Sequence, residues 1–143
     1  MSDVLLRSGM ALGLAVLGYG CYRLLNSAIL ARGKISRAGL ADFIPGRPGI
    51  LYFTMEGCLP CQTTQRPALE ELSDQLGDRI QIIEIDVVAR PKLAESWQVL
   101  SVPTTVILDP QGEARHINHG VALSGTLHHQ LERFGGLGTA PLD

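Results

Sequence analysis

Between residues 49 and 134, short apolar runs alternate with stretches patterned for helix, and this alternation constrains the fold more than any other property of the chain. Ile50-Leu51-Tyr52-Phe53-Thr54-Met55 predicts a buried strand. Residues 59–76 predict a helix, with Leu69, Leu72 and Leu76 at helical spacing and Gly77 as its stop. Ile80 to Asp86, rich in β-branched residues, predicts a second strand, and Pro91 to Gln98 a short helix opened by its proline. Thr104 to Leu108 and Glu113 to Asn118 read as a hairpin around the turn Asp109-Pro110-Gln111-Gly112. Ser124 to Phe134 closes the series as a helix with Ser124 as its N-cap, and a tail over 135–143 is expected to be loose. Two strands joined by a helix pair in parallel, and a hairpin adds antiparallel strands. The expected class is therefore α/β: a mixed four-stranded sheet between helices, three layers deep.

The 143 residues fit one such domain with an N-terminal head. Residues 1–38 carry five basic side chains (Arg7, Arg23, Arg32, Lys34, Arg37) against Asp3, whereas residues 39–143 carry 7 basic and 13 acidic ones. An acidic body argues against nucleic acid, which needs a basic face on the folded domain. A basic head suits a body held at a membrane. Ser8 to Tyr22 holds no charge, and fifteen residues at ~1.5 Å each reach only ~22 Å of a ~30 Å hydrocarbon core. Continuing through Leu24-Leu25 to Leu30, with Arg23 snorkelling to the interface, completes a single-pass transmembrane helix within residues 1–30 that contacts lipid through 8–30. The bland alternative, a cleaved signal peptide, lacks a well-placed A-x-A site. Gly9-x-x-x-Gly13 would let two such helices pack as a weak homodimer, and Cys21 reads as a small apolar helix residue. The basic residues after the run lean the folded part toward the cytoplasmic side, opposed by Arg7 and the N-terminal amine. Residues 31–48, basic and then rich in Gly and Pro, form the connector.

Two of the three cysteines lie in Cys58-Leu59-Pro60-Cys61, where the first strand ends and a helix begins. The free N–H groups and dipole of a helix start stabilise an anion and lower a thiol pKa, which favours Cys58 as the attacking sulfur. Cys61, one turn later on the same side, can resolve a mixed disulfide, and Pro60 is tolerated in the first turn. A C-x-x-C is also half a zinc site, with His116 and His119 as the remaining candidates, although H-x-x-H is shorter than the usual spacing.

With these residues in view, segment 49–134 resembles the thioredoxin family. Ser101-Val102-Pro103-Thr104 resembles the family's loop carrying a cis-proline, and Trp97-Gln98-Val99 before it resembles an aromatic-Gly-Val tripeptide. Gly120-Val121-Ala122-Leu123-Ser124 resembles the third substrate-facing loop. The resemblance implies a protein-disulfide oxidoreductase with Cys58 as nucleophile, Cys61 as resolving thiol, and protein thiols or disulfides as partners. It implies a substrate site lined by Pro60, Val102, Pro103, Thr104, Gly120 and Val121, with no organic cofactor and no metal. Val102 would pair with an extended substrate segment by strand addition beside a cis Pro103.

The sequence also departs from the family pattern. Tyr52 stands where a buried Asp is usual, Gly57 where a Trp precedes the first cysteine, and Glu84 where a Lys is usual; Pro67 falls one residue late in the long helix. Residues 38–48 leave little room for the strand and helix that open a full thioredoxin. Tyr52 and Glu84 are expected to be neighbours on adjacent strands beneath the cysteines. A buried Glu84 would have a raised pKa and serve as proton acceptor for Cys61; the alternative is a Glu84 turned to solvent. His119 is expected at the edge of the substrate surface, and His128 and His129 on a solvated helix face. Competing functions are a binding module of the same fold with little turnover, and a metal- or haem-assembly thiol protein.

Overall fold

The computed structural model describes residues 12–21 and 40–138. Residues 12–21 form a helix, α1, in a unit (residues 1–34) separate from the one that holds the sheet. Leu12, Leu14, Val16, Leu17 and Tyr19 are exposed along it. The rest of the expected membrane-spanning segment, including Gly9 of the packing motif, lies outside the described residues. Among the described residues no helix is long and apolar enough to cross a membrane.

In the second unit the chain runs β1 (Gly49–Thr54), a π-helical turn (Cys61–Gln65) leading directly into α2 (Arg66–Leu76), and a 3-10 turn (Gly77–Arg79). It continues through β2 (Gln81–Asp86), α3 (Pro91–Ser96), β3 (Thr104–Leu108), β4 (Ala114–His119) and α4 (Ser124–Arg133). The sheet order is β2-β1-β3-β4. β1 pairs with β2 in parallel, and the β1–β3 and β3–β4 pairs are antiparallel, the mixed sheet expected from the alternation.

The period of two along the central strands sorts the core into two layers. Ile50 and Tyr52 of β1 and Ile107 of β3 join Leu69, Leu72 and Leu76 of α2 and Leu127 and Leu131 of α4 on one face. Leu51 and Phe53 of β1 with Val106 and Leu108 of β3 join Ala94 and Trp97 on the other. β1 is buried along its whole length because both its faces are covered.

The folded unit reaches past the expected 49–134 at both ends. Leu40 is buried in the α3-side layer. Gln81 donates from its amide nitrogen to the Ile44 and Arg47 carbonyls (2.8 and 3.0 Å) and accepts the Ile44 N–H at 2.8 Å, pinning the segment before β1. Gly49 is required there, since a Cβ would lie 2.8 Å from the Gln81 side chain. At the other end Leu137 is buried and its N–H reaches the Leu131 carbonyl at 3.0 Å, while Arg79 donates to the Gly138 carbonyl at 3.0 Å. The tail is thus docked at least to Gly138, because an apolar side chain near the last helix found a place in the core; residues 139–143 lie outside the described residues.

Local chemistry explains three further differences. Ser124 is the first residue of α4 and not its cap; its hydroxyl donates to the Glu71 carboxylate at 2.6 Å and ties α4 to α2. α3 ends earlier than expected in paired bonds, Gln98 N–H to the Glu95 carbonyl and Val99 N–H to the Ala94 carbonyl, both 2.9 Å. Gln98 adopts φ +52° there, the left-handed position where glycine is usual. The long helix spans the expected 59–76, but five of its residues, Cys61–Gln65, wind as a π-turn before regular α-helix resumes at Arg66.

Candidate active site

Cys58 and Cys61 form a disulfide, S–S 2.03 Å and Cα–Cα 5.3 Å, at the carboxyl end of β1. A turn delivers the chain from strand to helix: the Cys58 N–H donates to the Met55 carbonyl at 3.3 Å, and Gly57 sits at φ +80°. That backbone conformation explains the missing aromatic before the first cysteine, because an L side chain is strained at positive φ. The Cys61 N–H points at Cys58 Sγ, 3.3 Å away. The two cysteines are both buried but unequally, with Cys58 9% exposed and Cys61 1%.

Beneath the pair, Tyr52 fills the position where the family pattern has an acid. It is buried, and its hydroxyl donates to the Cys61 carbonyl at 3.2 Å. The same carbonyl accepts the Arg66 N–H, the i to i+5 bond that defines the π-turn. The extra residue before Pro67 is therefore absorbed in one wide turn. Pro67 then falls in the first turn of regular helix, where its lack of an N–H is tolerated.

Glu84 is the register partner of Tyr52, as expected. It is not buried beneath the cysteines, however. β2 is an edge strand, and Glu84 reaches outward to a two-point pair with Arg66, at 2.8 and 3.3 Å, its side chain 46% exposed. The hydrogen bond and charge of Glu84 raise the Arg66 pKa. The premise of a buried proton acceptor at this position is corrected: a basic residue at the start of α2 draws the carboxylate to the surface.

Two loops complete the site. The Val102–Pro103 peptide is cis. Val102 packs against the cluster that contains Cys58, Cys61 and Ala122, which brings the three landmark segments together. Thr104 is fully buried, its hydroxyl donating to the Ser101 carbonyl at 2.7 Å, so it shapes the loop from within. The Gly120 N–H donates to the Pro103 carbonyl at 2.9 Å and couples the second loop to the first. Pro60, Leu59 and Val121 are exposed.

The residue that sequence reasoning passed over is Gln65. It is fully buried in the π-turn, its amide nitrogen donating to the Ala122 carbonyl at 3.0 Å and its oxygen accepting the Ala122 N–H at 2.8 Å. A polar residue on the otherwise apolar inward side of a helix is the signal that could have found it.

The histidines separate. His119 is the register partner of Thr104, beside the cis-proline loop, and borders an open cleft of about 640 Å³ with Trp97, Val99 and Ile117. His116 stacks on Phe134, ring centroids 5.2 Å apart. Three residues apart on a strand, the two face opposite ways and do not converge with the cysteines. His128 lies 3.7 Å from Glu132 on α4.

A cysteine pair closed into a disulfide at the mouth of a helix, beside a cis-proline loop on a mixed sheet, is the arrangement of a dithiol redox protein. A family model described as Thioredoxin matches residues 40–133, more than half the chain, and the chain belongs to the thioredoxin family. The thioredoxins homologous to it are protein-disulfide oxidoreductases. It is 33% identical over 99 residues to a thioredoxin-like protein of Synechocystis, covering 68% of this chain and 92% of that protein. It is 33% identical over 86 residues to chloroplastic thioredoxin Y of rice (Oryza sativa), covering 60% of this chain and 50% of that one, so it spans half that relative's length. The fold is similar to thioredoxin-2 of the malaria parasite, with TM-score 0.59 and 22% identity over 64% of this chain and 86% of that one.

Proposed function

We propose that the chain is a membrane-anchored thiol–disulfide oxidoreductase that exchanges disulfides with protein substrates through Cys58 and Cys61. The observation that carries this reading is the asymmetry of the pair: Cys58 keeps 9% exposure and its Sγ accepts an N–H, while Cys61 is enclosed at 1%. In the reduced protein the Cys58 thiolate attacks one sulfur of a substrate disulfide. The substrate S–S bond breaks, and the departing sulfur leaves as a thiolate that takes up a proton. Cys61, after losing its proton, attacks Cys58 Sγ and expels the second substrate sulfur. Two electrons have then passed to the substrate, and the chain is in the disulfide form. Reversed, the same steps oxidise a substrate dithiol; the relative potentials set the direction. The Cys61 N–H, 3.3 Å from Cys58 Sγ, favours the thiolate both as attacker and as leaving group.

An extended substrate segment lies along Val102 by strand addition, beside Pro103, which has no N–H to compete, and against Gly120 and Val121. Residues 8–30 hold the domain at the bilayer. The outward apolar side chains of α1 support this assignment.

Insulin reduction by the 143-residue chain tests the chemistry. Cys58→Ser abolishes turnover, and Cys61→Ser accumulates a mixed disulfide with substrate; turnover retained by Cys58→Ser overturns the reading. Alkaline extraction of membranes tests the anchor, with the chain expected in the pellet. Release into the supernatant overturns the anchor and leaves the redox assignment standing.

A further inference from the structure

We infer that Gln65 is a positioning residue for disulfide exchange: its side-chain amide fixes the 120–123 loop against the cysteine helix and so sets where Val121 meets a substrate chain. The inference rests on the exchange reaction proposed above and concerns how substrates are held for it.

Both polar atoms of the Gln65 amide are spent on the backbone of one residue, the Ala122 carbonyl at 3.0 Å and the Ala122 N–H at 2.8 Å. This is the two-bond exchange of an antiparallel strand pair, made by a side chain. Such a group is costly to bury unless fully satisfied, and an apolar residue would fill the inward side of a helix at no such cost. The clamp therefore does something packing alone would not. It also sits inside the π-turn that begins at Cys61, so the loop is tied to the same turn that carries the resolving cysteine.

The loop is held from its other side as well. The Gly120 N–H donates to the carbonyl of Pro103, the residue that follows Val102. Val121 lies between these two anchors and is 42% exposed. Its position is thus determined jointly by the cis-proline loop and by Gln65. A protein substrate that spans Val102 and Val121 feels the clamp, whereas a small disulfide that needs only Cys58 does not.

Steady-state kinetics of the 143-residue chain with insulin, run beside dithionitrobenzoate reduction by the prereduced chain, separates these cases. Gln65→Ala is expected to raise KM for insulin roughly tenfold, the effect of about 1.4 kcal/mol from the lost bonds. kcat and the rate with the small disulfide should stay within about twofold. Gln65→Glu keeps the acceptor but sets a carboxylate oxygen against the Ala122 carbonyl. Burial and that contact push the introduced carboxyl up. Its insulin KM should match wild type at low pH, where the protonated acid donates, and climb as pH rises, while the wild-type KM shows no such step.

A KM unchanged in Gln65→Ala overturns the inference, as does an equal loss with both substrates, which a general loosening of the fold would give. Where the alanine variant does not fold, Gln65→Glu decides alone, and an insulin KM without the extra pH step overturns it. Failure of the underlying reading has its own signature: the wild-type chain then turns over no insulin at all, and both proposals fall.

Discussion

The two ends of the sheet are built from different chemistry. At the end that carries the cysteines, the buried side chains that bind backbone are neutral: the Tyr52 hydroxyl on the Cys61 carbonyl, the Gln65 amide on Ala122 and the Thr104 hydroxyl on the Ser101 carbonyl, while the carboxylate that binds backbone there, Asp86, is exposed. At the opposite end, the β3–β4 turn is organised by a charge. The buried Asp109 carboxylate accepts the N–H groups of Gln111 and Glu113, at 3.0 and 2.9 Å, and the Arg115 guanidinium at 2.7 Å. A fixed buried charge beside the sulfurs would bias thiol against thiolate at every step of exchange. Neutral dipoles hold the same geometry with far less of that bias. The end that only holds the hairpin together is free to use a carboxylate.

The sharpest way to break this comparison is to remove the charge. Burial alone would push the Asp109 carboxyl up, but the Glu113 N–H, Arg115 and the Gln111 N–H outweigh it and hold the pKa below the usual carboxylate range. A depressed native pKa means stability that is fully present above the unfolded value of about 3.9 and is lost as pH falls through the native one. Asp109→Asn should therefore cost about 2 kcal/mol near pH 7, read from urea midpoints. The gap to wild type should narrow steadily below about pH 4.

Tyr52→Phe addresses the neutral end. The Cys61 carbonyl keeps its Arg66 N–H, so nothing is orphaned, and the expected loss is about 1 kcal/mol. The same urea series should show that loss constant between acidic and neutral pH. A pH-dependent Tyr52→Phe effect would erase the contrast between the ends.

Glu84→Gln should do least. An exposed pair with Arg66 contributes within about 0.5 kcal/mol, and the pH profile of insulin reduction should not move. A displaced profile would return Glu84 to the chemistry and place a charge at the neutral end after all.

Much of this structure is legible in the sequence where periodicity does the specifying. The strands at Ile50, Ile82 and Val106 and the Leu69-Leu72-Leu76 face of α2 follow from spacing alone, because burial on one or two faces demands it. The cysteine pair and Pro103 are legible because few backbones need those residues at those places. What is not legible depends on small geometric choices between distant segments. Pro67 standing one residue late shows that something extra precedes it, but spacing alone does not distinguish a π-turn from a bulge or a kink. Tyr52 and Glu84 are rightly read as neighbours, yet whether Glu84 turns inward depends on Arg66, eighteen residues away, reaching its carboxylate. Gln65 belongs to no motif, and its partner lies 57 residues further on. Leu137 looked like part of a loose tail because a single apolar residue carries no period.

The wide turn at Cys61–Gln65 has a consequence for how this helix can vary. An ordinary insertion rotates everything beyond it by about 100° around the helix axis, since one residue is 1/3.6 of a turn. Here the surplus residue is taken up locally, so Leu69, Leu72 and Leu76 all stay buried against the sheet. The turn works as a phase adjuster between a reactive tip and a packed shaft. A residue can thus be added between the sulfurs and the packed face without any core side chain leaving its place.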